Sequence, residues 1–309
     1  MKKFIITGLA MTVMFASCLD NDDSDDVGIG EGSNRCFNIY DDKGDSSHQS
    51  ITTKISQQDF TLYRKKLLTC NIPMVKWTEN EKCTLIDMNS GETIKDNDGN
   101  IIEEKCDSDN VTFNVPNIYK NVKVHISYDL KTRSGWTTKT EHKEENSTDN
   151  FAIRPYEFNI TLRKKSLKVG ENTPLYLEVI DYKNNIINEY SKSSIELEAN
   201  ATDNVPVQYS FDIKNGKSLP SGIIQFLKDK DDISVIFRDT KFATIDDDDT
   251  KNSCKDINGT VNNIKIIKNY KSWAGSSTEN SSNNPQNKTI NSKIKQNQNR
   301  DLHFQKMGW

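Results

Sequence analysis

The chain has 309 residues and a formal net charge of −4 at neutral pH, and 34% of its residues are hydrophobic. Loss of Lys2 and Lys3 with a signal sequence takes this charge to −6, and such an acidic chain excludes nucleic acid as an expected partner. No apolar stretch after residue 18 approaches the length of a membrane span, whereas the length leaves room for two domains.

The N-terminus predicts export as a bacterial lipoprotein. Two lysines precede an apolar run at residues 4–15, and an Ala-Ser-Cys sequence that ends at Cys18 follows. We expect residues 1–17 to be a signal peptide and Cys18 to receive the lipid that anchors the mature protein to a membrane. The expected location is the cell envelope, with the protein facing the periplasm or the cell surface.

Two alternatives to lipid attachment remain. Phe15 stands three residues before Cys18, where lipoprotein signals usually have Leu, Val or Ile. Ordinary signal-peptidase cleavage just after Cys18, and hence secretion, is the first alternative. An uncleaved anchor is the second, which the short apolar run disfavours. The acidic residues and glycines of 18–33 predict a solvated tether, because they bury too little apolar surface to fold.

Five cysteines follow Cys18, which in an oxidising compartment predicts disulfides. Four of them can form two bridges in any of three connectivities: Cys36, Cys70, Cys83 and Cys106. We favour the bridge from Cys83 to Cys106, because a predicted hairpin lies between them, and Cys254 is left over. The sequence has no C-x-x-C spacing and its four histidines are far apart, so no zinc site is expected.

Short segments that alternate apolar and polar residues, bounded by Asn, Asp, Gly and Pro, predict strands. In the first part of the chain they are residues 37–40, 51–55, 60–64, 83–88, 111–115 and 122–128. In the second part they are residues 156–163, 175–181, 207–213, 223–227 and 233–238. A hairpin is predicted over Glu92–Glu104 with its turn at Asp98-Gly99, since glycine tolerates a positive φ.

This spacing of strands, with only short helical turns between them, predicts an all-β protein. We expect two immunoglobulin-like antiparallel β-sandwich domains with disordered termini. The first domain is placed at residues 34–150 and the second at 151–270, with Pro155 setting the direction of the second. Residues 271–309 have few apolar side chains and predict a disordered polar tail.

Three stretches of the chain resemble a known family. One is Asp149–Pro155, of sequence DNFAIRP, which an alternating strand and Val-Gly-Glu follow; the others are Cys36–Asp42 with Ile51–Ile55, and Phe242–Asp246 with the aspartates after it. They are similar to bacterial surface proteins with an FA(I/V)RP-containing domain of unknown function, related to the Q accessory protein of mannose-sensitive haemagglutinin pilus biogenesis. The similarity covers about residues 34–270. It implies a β-rich, cell-surface or pilus-associated protein without established chemistry, whose partners are other envelope or pilus proteins or surface glycans.

Two acidic segments are candidate calcium sites. Asp96-Asn97-Asp98-Gly99 resembles the start of a calcium loop, but aligning Gly99 with the sixth loop position puts Ile94 and Lys105 where oxygen ligands are required. A hairpin turn is therefore the preferred interpretation. Four adjacent carboxylates repel one another unless a cation or solvent relieves them, so this run is either a weak calcium site or a solvated loop: Asp246, Asp247, Asp248 and Asp249. No cofactor is expected.

Four segments have an acidic residue two positions before an asparagine and a hydroxyl residue two positions after it. This pattern resembles the extended acceptor sequence of bacterial N-linked glycosylation, which requires an exposed asparagine in an exported protein. We expect Asn146 and Asn258 to lie in loops and to be the better candidates, whereas Asn159 and Asn200 fall in or near strands.

Motifs of catalysis are missing from the sequence. It contains no G-x-S-x-G, no phosphate-binding glycine loop and no H-E-x-x-H. Exposed aromatic residues such as Trp77, Trp136 and Trp273 could contact a partner, although core packing is preferred for the first two. We expect a structural, adhesive or pilus-associated binding role without catalysis. The alternative is a secreted carbohydrate-processing enzyme or its binding module, which a concave pocket with two or three carboxylates would favour.

Overall fold

The alternation of apolar and polar residues produces two β-sandwiches. A computed structural model of the chain describes residues 35–41, 50–106, 108–247 and 255–268. Regular structure in these ranges is strand apart from four 3₁₀ turns, at Leu68–Cys70, Ser194–Glu196, Thr202–Asn204 and Thr244–Asp246. The all-β prediction is thus confirmed. No helix in this part of the chain has the length and apolar character needed to cross a bilayer. The predicted signal peptide, Cys18, the tether, Cys254 and the polar tail lie outside the described residues.

The first sandwich contains ten strands in two sheets. One sheet has the order β1-β3-β7, and the other has the order β2-β10-β8-β4-β5, with β6 paired to β4 and β9 paired to β8. This is the immunoglobulin-like arrangement in which strands A, B and E face strands G, F and C. The strands are β1 (Phe37–Tyr40), β2 (Lys54–Ile55), β3 (Phe60–Lys66), β4 (Lys76–Asp87), β5 (Glu92–Thr93), β6 (Glu103–Lys105), β7 (Asn110–Phe113), β8 (Tyr119–Ser134), β9 (Thr137–Asn146) and β10 (Phe151–Arg154).

The second sandwich contains nine strands, also in two sheets. Their orders are β11-β13-β17-β16-β14 and β12-β19-β18-β15, which match the A-B-E-D and G-F-C sheets of an immunoglobulin-like domain. The strands are β11 (Glu157–Leu162), β12 (Ser166–Lys168), β13 (Thr173–Ile180), β14 (Lys192–Ser193), β15 (Glu198–Ala201), β16 (Val207–Lys214), β17 (Lys217–Phe226), β18 (Lys230–Asp239) and β19 (Ile257–Ile267).

Each sandwich encloses its own hydrophobic core, because the side chains of each strand point alternately to the inside and to solvent. Along β11, Phe158 and Leu162 are buried while Asn159 and Thr161 are exposed, as predicted. The first core includes Phe37, Ile51, Leu62, Leu85, Phe113, Ile126 and Phe151. The second core includes Phe158, Leu175, Val179, Phe226, Val235 and Phe237.

The boundary between the sandwiches differs from the predicted one. β10 forms backbone hydrogen bonds with β2 and β8, so it completes a sheet of the first sandwich. Residues Phe151–Arg154 therefore belong to the first sandwich and not to a second domain that starts at 151. Only Pro155 and Tyr156 separate β10 from β11. The predicted boundary is too early because it assigns the whole FAIRP stretch, and not only the residues after it, to the second domain.

Two disulfides lie in the first sandwich. The favoured pair, Cys83 and Cys106, is bonded and ties β4 to the residue after β6, with the Cα atoms 5.6 Å apart. Cys36 and Cys70 form the second bridge, with a Cα separation of 5.2 Å, and join the residue before β1 to the 3₁₀ turn after β3. Such bridges stabilise a fold by restricting the unfolded chain.

The predicted hairpin turn is present near Gly99. Lys95 and Ile101 face each other in an isolated antiparallel bridge, and Gly99 has φ +84°. Between them, the carboxylate of Asp96 accepts hydrogen bonds from the backbone N–H groups of Asp98 (2.9 Å) and Asn100 (2.8 Å). These bonds lower the pKa of Asp96, and the bond from the backbone of Asn100 has the largest effect. The acidic cluster is thus explained by turn formation.

Candidate functional site

The junction between the sandwiches is built on β10. Because its side chains alternate, Phe151 and Ile153 enter the first core while Ala152 enters the second. All four residues of β10 are buried. One short strand thus contributes to both cores, and this fixes where the second sandwich sits.

Asp246 ties the junction together from the second sandwich. It lies in the 3₁₀ turn Thr244–Asp246 and is only 1% exposed. Its carboxylate accepts a hydrogen bond from the backbone N–H of Ala152 at 3.1 Å and a short one from the hydroxyl of Thr53. A buried carboxylate is costly unless its oxygens are hydrogen-bonded, so this arrangement holds three distant parts of the chain in one geometry.

Arg154 closes the same junction at the end of β10. Its guanidinium donates to the carbonyl oxygens of Pro155 (2.6 Å) and Tyr156 (2.7 Å), the two residues that link the sandwiches. Burial lowers the pKa of Arg154 to about 10, although the negative charge of Asp256 acts to raise it. The side chain therefore stays charged at neutral pH. A buried charge is costly unless it is hydrogen-bonded, so these bonds stabilise the observed conformation of the link.

Backbone contacts join the sandwiches beside this link. The N–H of Ser56 donates to the carbonyl of Arg154 at 2.9 Å, and the N–H of Tyr182 donates to the carbonyl of Ser56 at 3.1 Å. The rings of Tyr156 and Tyr182 meet edge to face with centroids 5.4 Å apart. Ser56, which is fully buried, therefore connects β10 to a loop of the second sandwich.

The structure brings together the three stretches on which the family resemblance depends. Thr53 lies in the first stretch, Ala152 in the second and Asp246 in the third, and they meet through one carboxylate. The four aspartates of the calcium hypothesis have different positions or lie outside the described residues. Asp246 is buried in the junction, Asp247 pairs with Lys255 at 2.6 Å, and Asp248 and Asp249 lie outside the described residues. Within the described part of the chain no group of three or more His, Cys, Asp or Glu is arranged to hold a metal.

An open cleft lies next to the junction, between the two sandwiches. Its volume is about 260 Å³. Within it, the Nζ atom of Lys120 lies 5.7 Å from the ring centroid of Phe242. The cleft is lined by Asp87, Asn89, Ile118, Tyr119 and Lys120 of the first sandwich and by Glu189, Tyr190, Ser191, Lys192 and Phe242 of the second.

The wall of the cleft is held by a buried polar cluster. Asp239 is fully buried and accepts hydrogen bonds from the hydroxyl of Tyr190 (2.7 Å) and the ammonium of Lys192 (2.8 Å). Burial, with the charge of Asp239, raises the pKa of Tyr190, so its hydroxyl stays protonated and donates. Burial also raises the pKa of Tyr119, helped by the charges of Asp87 and Glu189. The cleft thus presents two carboxylates beside aromatic rings.

The tryptophans do not behave alike. Trp77 is half-buried on β4 and its indole N–H donates to Glu79 at 2.8 Å. Trp136 is fully exposed, so the prediction that it packs in the core is wrong. It lies at the tip of the hairpin between β8 and β9, which extends beyond the core. Trp273 lies outside the described residues.

All four glycosylation candidates lie in strands. The prediction that Asn146 and Asn258 occupy loops is wrong, because β9 ends at Asn146 and β19 contains Asn258. Asn146 is half-buried and its amide oxygen contacts Nδ1 of His125 at 2.8 Å. Asn159, Asn200 and Asn258 expose their side chains on the outer faces of their strands. The exposure that glycosylation requires is thus met at these three sites and restricted at Asn146.

No family model matches the chain, and no curated protein matches it. Among solved structures it is similar to FdeC, an adhesin of Escherichia coli, with 11% identity over 75% of this chain and 63% of that chain, at a TM-score of 0.25. It is also similar to domains 4–9 of the surface layer protein SbsC, with 11% identity over 76% of this chain and 31% of that one, at 0.24. A third similar structure is a glycosyl hydrolase family 2 member from Bacteroides cellulosilyticus, with 8% identity over 67% of this chain and 24% of that chain, at a TM-score of 0.23. The chain spans less than two thirds of each of these proteins. Identities and TM-scores of this size carry no argument about function.

Proposed function

We propose that this chain is a lipid-anchored protein of the bacterial cell envelope whose two sandwiches form one stiff structural or adhesive unit without catalysis. The observation that carries the proposal is the junction. The residues that give the resemblance to the pilus-associated family hold one sandwich against the other through the buried carboxylate of Asp246. A protein that holds a partner at a defined position needs a fixed angle between its modules, because a flexible link would let that position vary.

Two further observations support this location. The N-terminal residues, two lysines followed by an apolar run and Ala-Ser-Cys ending at Cys18, resemble a lipoprotein signal. The first sandwich carries two disulfides, Cys36–Cys70 and Cys83–Cys106, and disulfides persist mainly in secreted, periplasmic and cell-surface proteins. Both observations favour a protein that works outside the cytoplasm.

Lipid attachment is tested by intact-mass measurement of the protein purified from bacterial membranes. We expect a mature chain that starts at Cys18 and carries acyl groups, and we expect Cys18→Ala to move the protein from the membrane fraction to the soluble fraction. Cys254→Ala is the matched control and should leave it in the membrane fraction. A chain that starts at Leu19 and has no acyl group would show that the anchor is absent and that the protein is secreted.

A second candidate function, binding of a small carbohydrate, is favoured by the cleft. Asp87 and Glu189 line it from opposite sandwiches beside Tyr119 and Phe242, and carboxylates next to aromatic rings suit sugar hydroxyls and the apolar faces of sugar rings. Its volume of about 260 Å³ lies just below the range of most ligand pockets, so the candidate ligand is a small sugar. This candidate would make the chain a carbohydrate-binding or carbohydrate-processing module.

This second candidate has a direct test by saturation-transfer NMR with glucose, galactose, N-acetylglucosamine and cellobiose. Binding in the cleft predicts that Glu189→Gln weakens the affinity for the bound sugar at least about tenfold, as loss of a charged hydrogen bond does. Glu178→Gln is the control and should change nothing, because Glu178 lies on β13 outside the cleft, with its side chain 40% exposed and 3.5 Å from Lys217. Equal signals from wild type and Glu189→Gln, or no signal from any sugar, would remove the cleft as a sugar site.

A further inference from the structure

The end of the first sandwich that lies away from the junction exposes a group of apolar side chains. β8 starts at Tyr119 beside the cleft and runs to Ser134 at this far end. There, Leu68 is 83% exposed, Met74 79% and Trp136 fully exposed, and Ile72 and Val75 are about half exposed. We call residues 68–75 the distal apolar loop. Exposed apolar side chains grouped in this way mark an interaction surface more often than chance exposure.

The distal apolar loop is fixed in shape. The Cys36–Cys70 disulfide holds one side of it. On the other side, the backbone N–H of Arg133 donates to the carbonyl of Val75 at 2.8 Å, which attaches the loop to the hairpin that carries Trp136. Met74 has φ +59°, a strained conformation for a residue other than glycine, which persists only where the surroundings impose it. The apolar side chains are thus presented on a firm support.

The chain enters the first sandwich beside this loop. The carbonyl of Arg35 accepts a hydrogen bond from the hydroxyl of Thr69 at 2.9 Å, and the carbonyl of Cys36 accepts one from the N–H of Leu67 at 2.8 Å. A lipid on Cys18 would be separated from Arg35 by residues 19–34, which span at most roughly 55 Å. A chain that leads from the proposed lipid anchor therefore meets the sandwich at the end that exposes the apolar side chains.

The composition of this end suits the surface of a bilayer. Trp prefers the boundary between headgroups and acyl chains, where one edge of its ring is apolar and the other is wet. Lys76 and Arg133 flank the loop, and cations at this depth attract anionic headgroups. An anchored protein reaches the surface at high effective concentration, so weak contacts of this kind become occupied.

We propose that Trp136 and the distal apolar loop insert into the outer edge of the membrane that holds the lipid anchor, and so set the orientation of the sandwiches relative to that membrane. This inference rests on the proposed lipid anchor. The occupant of the surface is thus the lipid bilayer, with the loop and the tip of the hairpin as the inserting elements.

The test uses the full chain, purified with its lipid and placed in vesicles of phosphatidylethanolamine and phosphatidylglycerol whose acyl chains carry bromine. In a variant with Trp77→Phe, Trp273→Phe and Trp309→Phe, Trp136 is the remaining fluorophore. We expect brominated lipid to lower its emission about twofold, because bromine quenches rings at the level of the headgroups and upper acyl chains. The control adds Trp136→Phe and Tyr176→Trp, which moves the fluorophore to an exposed position on β13, and should show no quenching.

A second pair of variants separates insertion from anchoring. Leu68→Glu with Met74→Glu places charge on exposed positions, so the fold is retained, and should abolish the quenching of Trp136. Ile195→Glu is the matched control on the second sandwich, where Ile195 is 90% exposed, and should leave the quenching unchanged. The mass of the same sample reports the lipid. Lipid on Cys18 with no quenching of Trp136 overturns the insertion and leaves the anchor intact, whereas a chain without lipid overturns both.

Discussion

Replacement of Glu81 by glutamine is expected to lower the free energy of unfolding by about 3 kcal/mol, because it leaves the buried guanidinium of Arg64 and the partly buried ammonium of Lys66 without their counter-charge. Glu81 is 7% exposed and lies in the first sandwich, on β4. Its carboxylate accepts a short hydrogen bond from Arg64, whose side chain is equally buried, and a 2.6 Å bond from Lys66. Urea unfolding of the purified protein measures the change.

Glu79 offers a matched control two residues away on the same strand. Its side chain is 49% exposed and lies 3.6 Å from Lys131. Exposed ion pairs contribute little, so Glu79→Gln should cost less than about 1 kcal/mol. Equal losses in the two variants would mean that the cluster around Glu81 is solvated in solution.

The contribution of Glu81 also depends on pH. Burial is the largest single influence and raises its pKa, but the hydrogen bonds from Lys66, Thr78 and Arg64, with the charge of Arg64, outweigh it and hold the pKa below 4.5. In the unfolded chain this carboxyl takes up a proton first as the pH falls. Its stabilisation is therefore complete above pH 4.5 and is lost as the pH falls through the folded pKa. The stability difference between wild type and Glu81→Gln should shrink over that range.

Replacement of Asp246 by alanine is expected to loosen the junction and to lower the free energy of unfolding by about 3 kcal/mol. The backbone N–H of Ala152 and the hydroxyl of Thr53 both donate to this buried carboxylate. Each buried donor that loses its acceptor costs about 1–3 kcal/mol. Because these donors belong to the first sandwich and Asp246 to the second, calorimetry should resolve separate transitions where the wild type shows one.

Hydrogen exchange gives a local measure of the same event. The amide of Ala152 should exchange faster in Asp246→Ala, since it loses its acceptor. Asp247→Ala is the control one residue away, because Asp247 is half exposed and pairs with Lys255 at the surface; it should cost less than about 1 kcal/mol. Asp246→Asn keeps an oxygen acceptor and should fall between the two. An unchanged exchange rate for Ala152 in Asp246→Ala would contradict the role assigned to the carboxylate.

The strands with clear alternation could be predicted from sequence. β11, with Phe158 inside and Asn159 outside, is an example. β10 could not be predicted in this way. All four of its residues are buried and they contribute to two cores, so its sequence shows no alternation. β9 was missed for the opposite reason. Its sequence is almost wholly polar, and its pairing with β8 depends on backbone hydrogen bonds, which side-chain patterns do not encode.

The junction was only partly accessible from sequence. Resemblance identifies the residues of the DNFAIRP motif, but nothing in four adjacent aspartates indicates that Asp246 is buried while Asp247 is exposed. That difference depends on an amide group 94 positions away in the chain. Trp136 was wrongly assigned to the core for a related reason, since the hairpin that carries it extends beyond the sandwich. The cleft, formed by residues of both sandwiches, also depends on their packing.

The parallel pairing in each sandwich has a mechanical consequence. β2 runs beside β10 in the same direction, and β12 runs beside β19 in the same direction. Tension between the two ends of the second sandwich pulls β12 and β19 past one another lengthwise, and the hydrogen bonds between them then bear the force simultaneously, in shear, and do not open one at a time from an end. In the first sandwich β2 lies inside the loop that the Cys36–Cys70 disulfide closes, so this disulfide carries tension from the N-terminal side past β2.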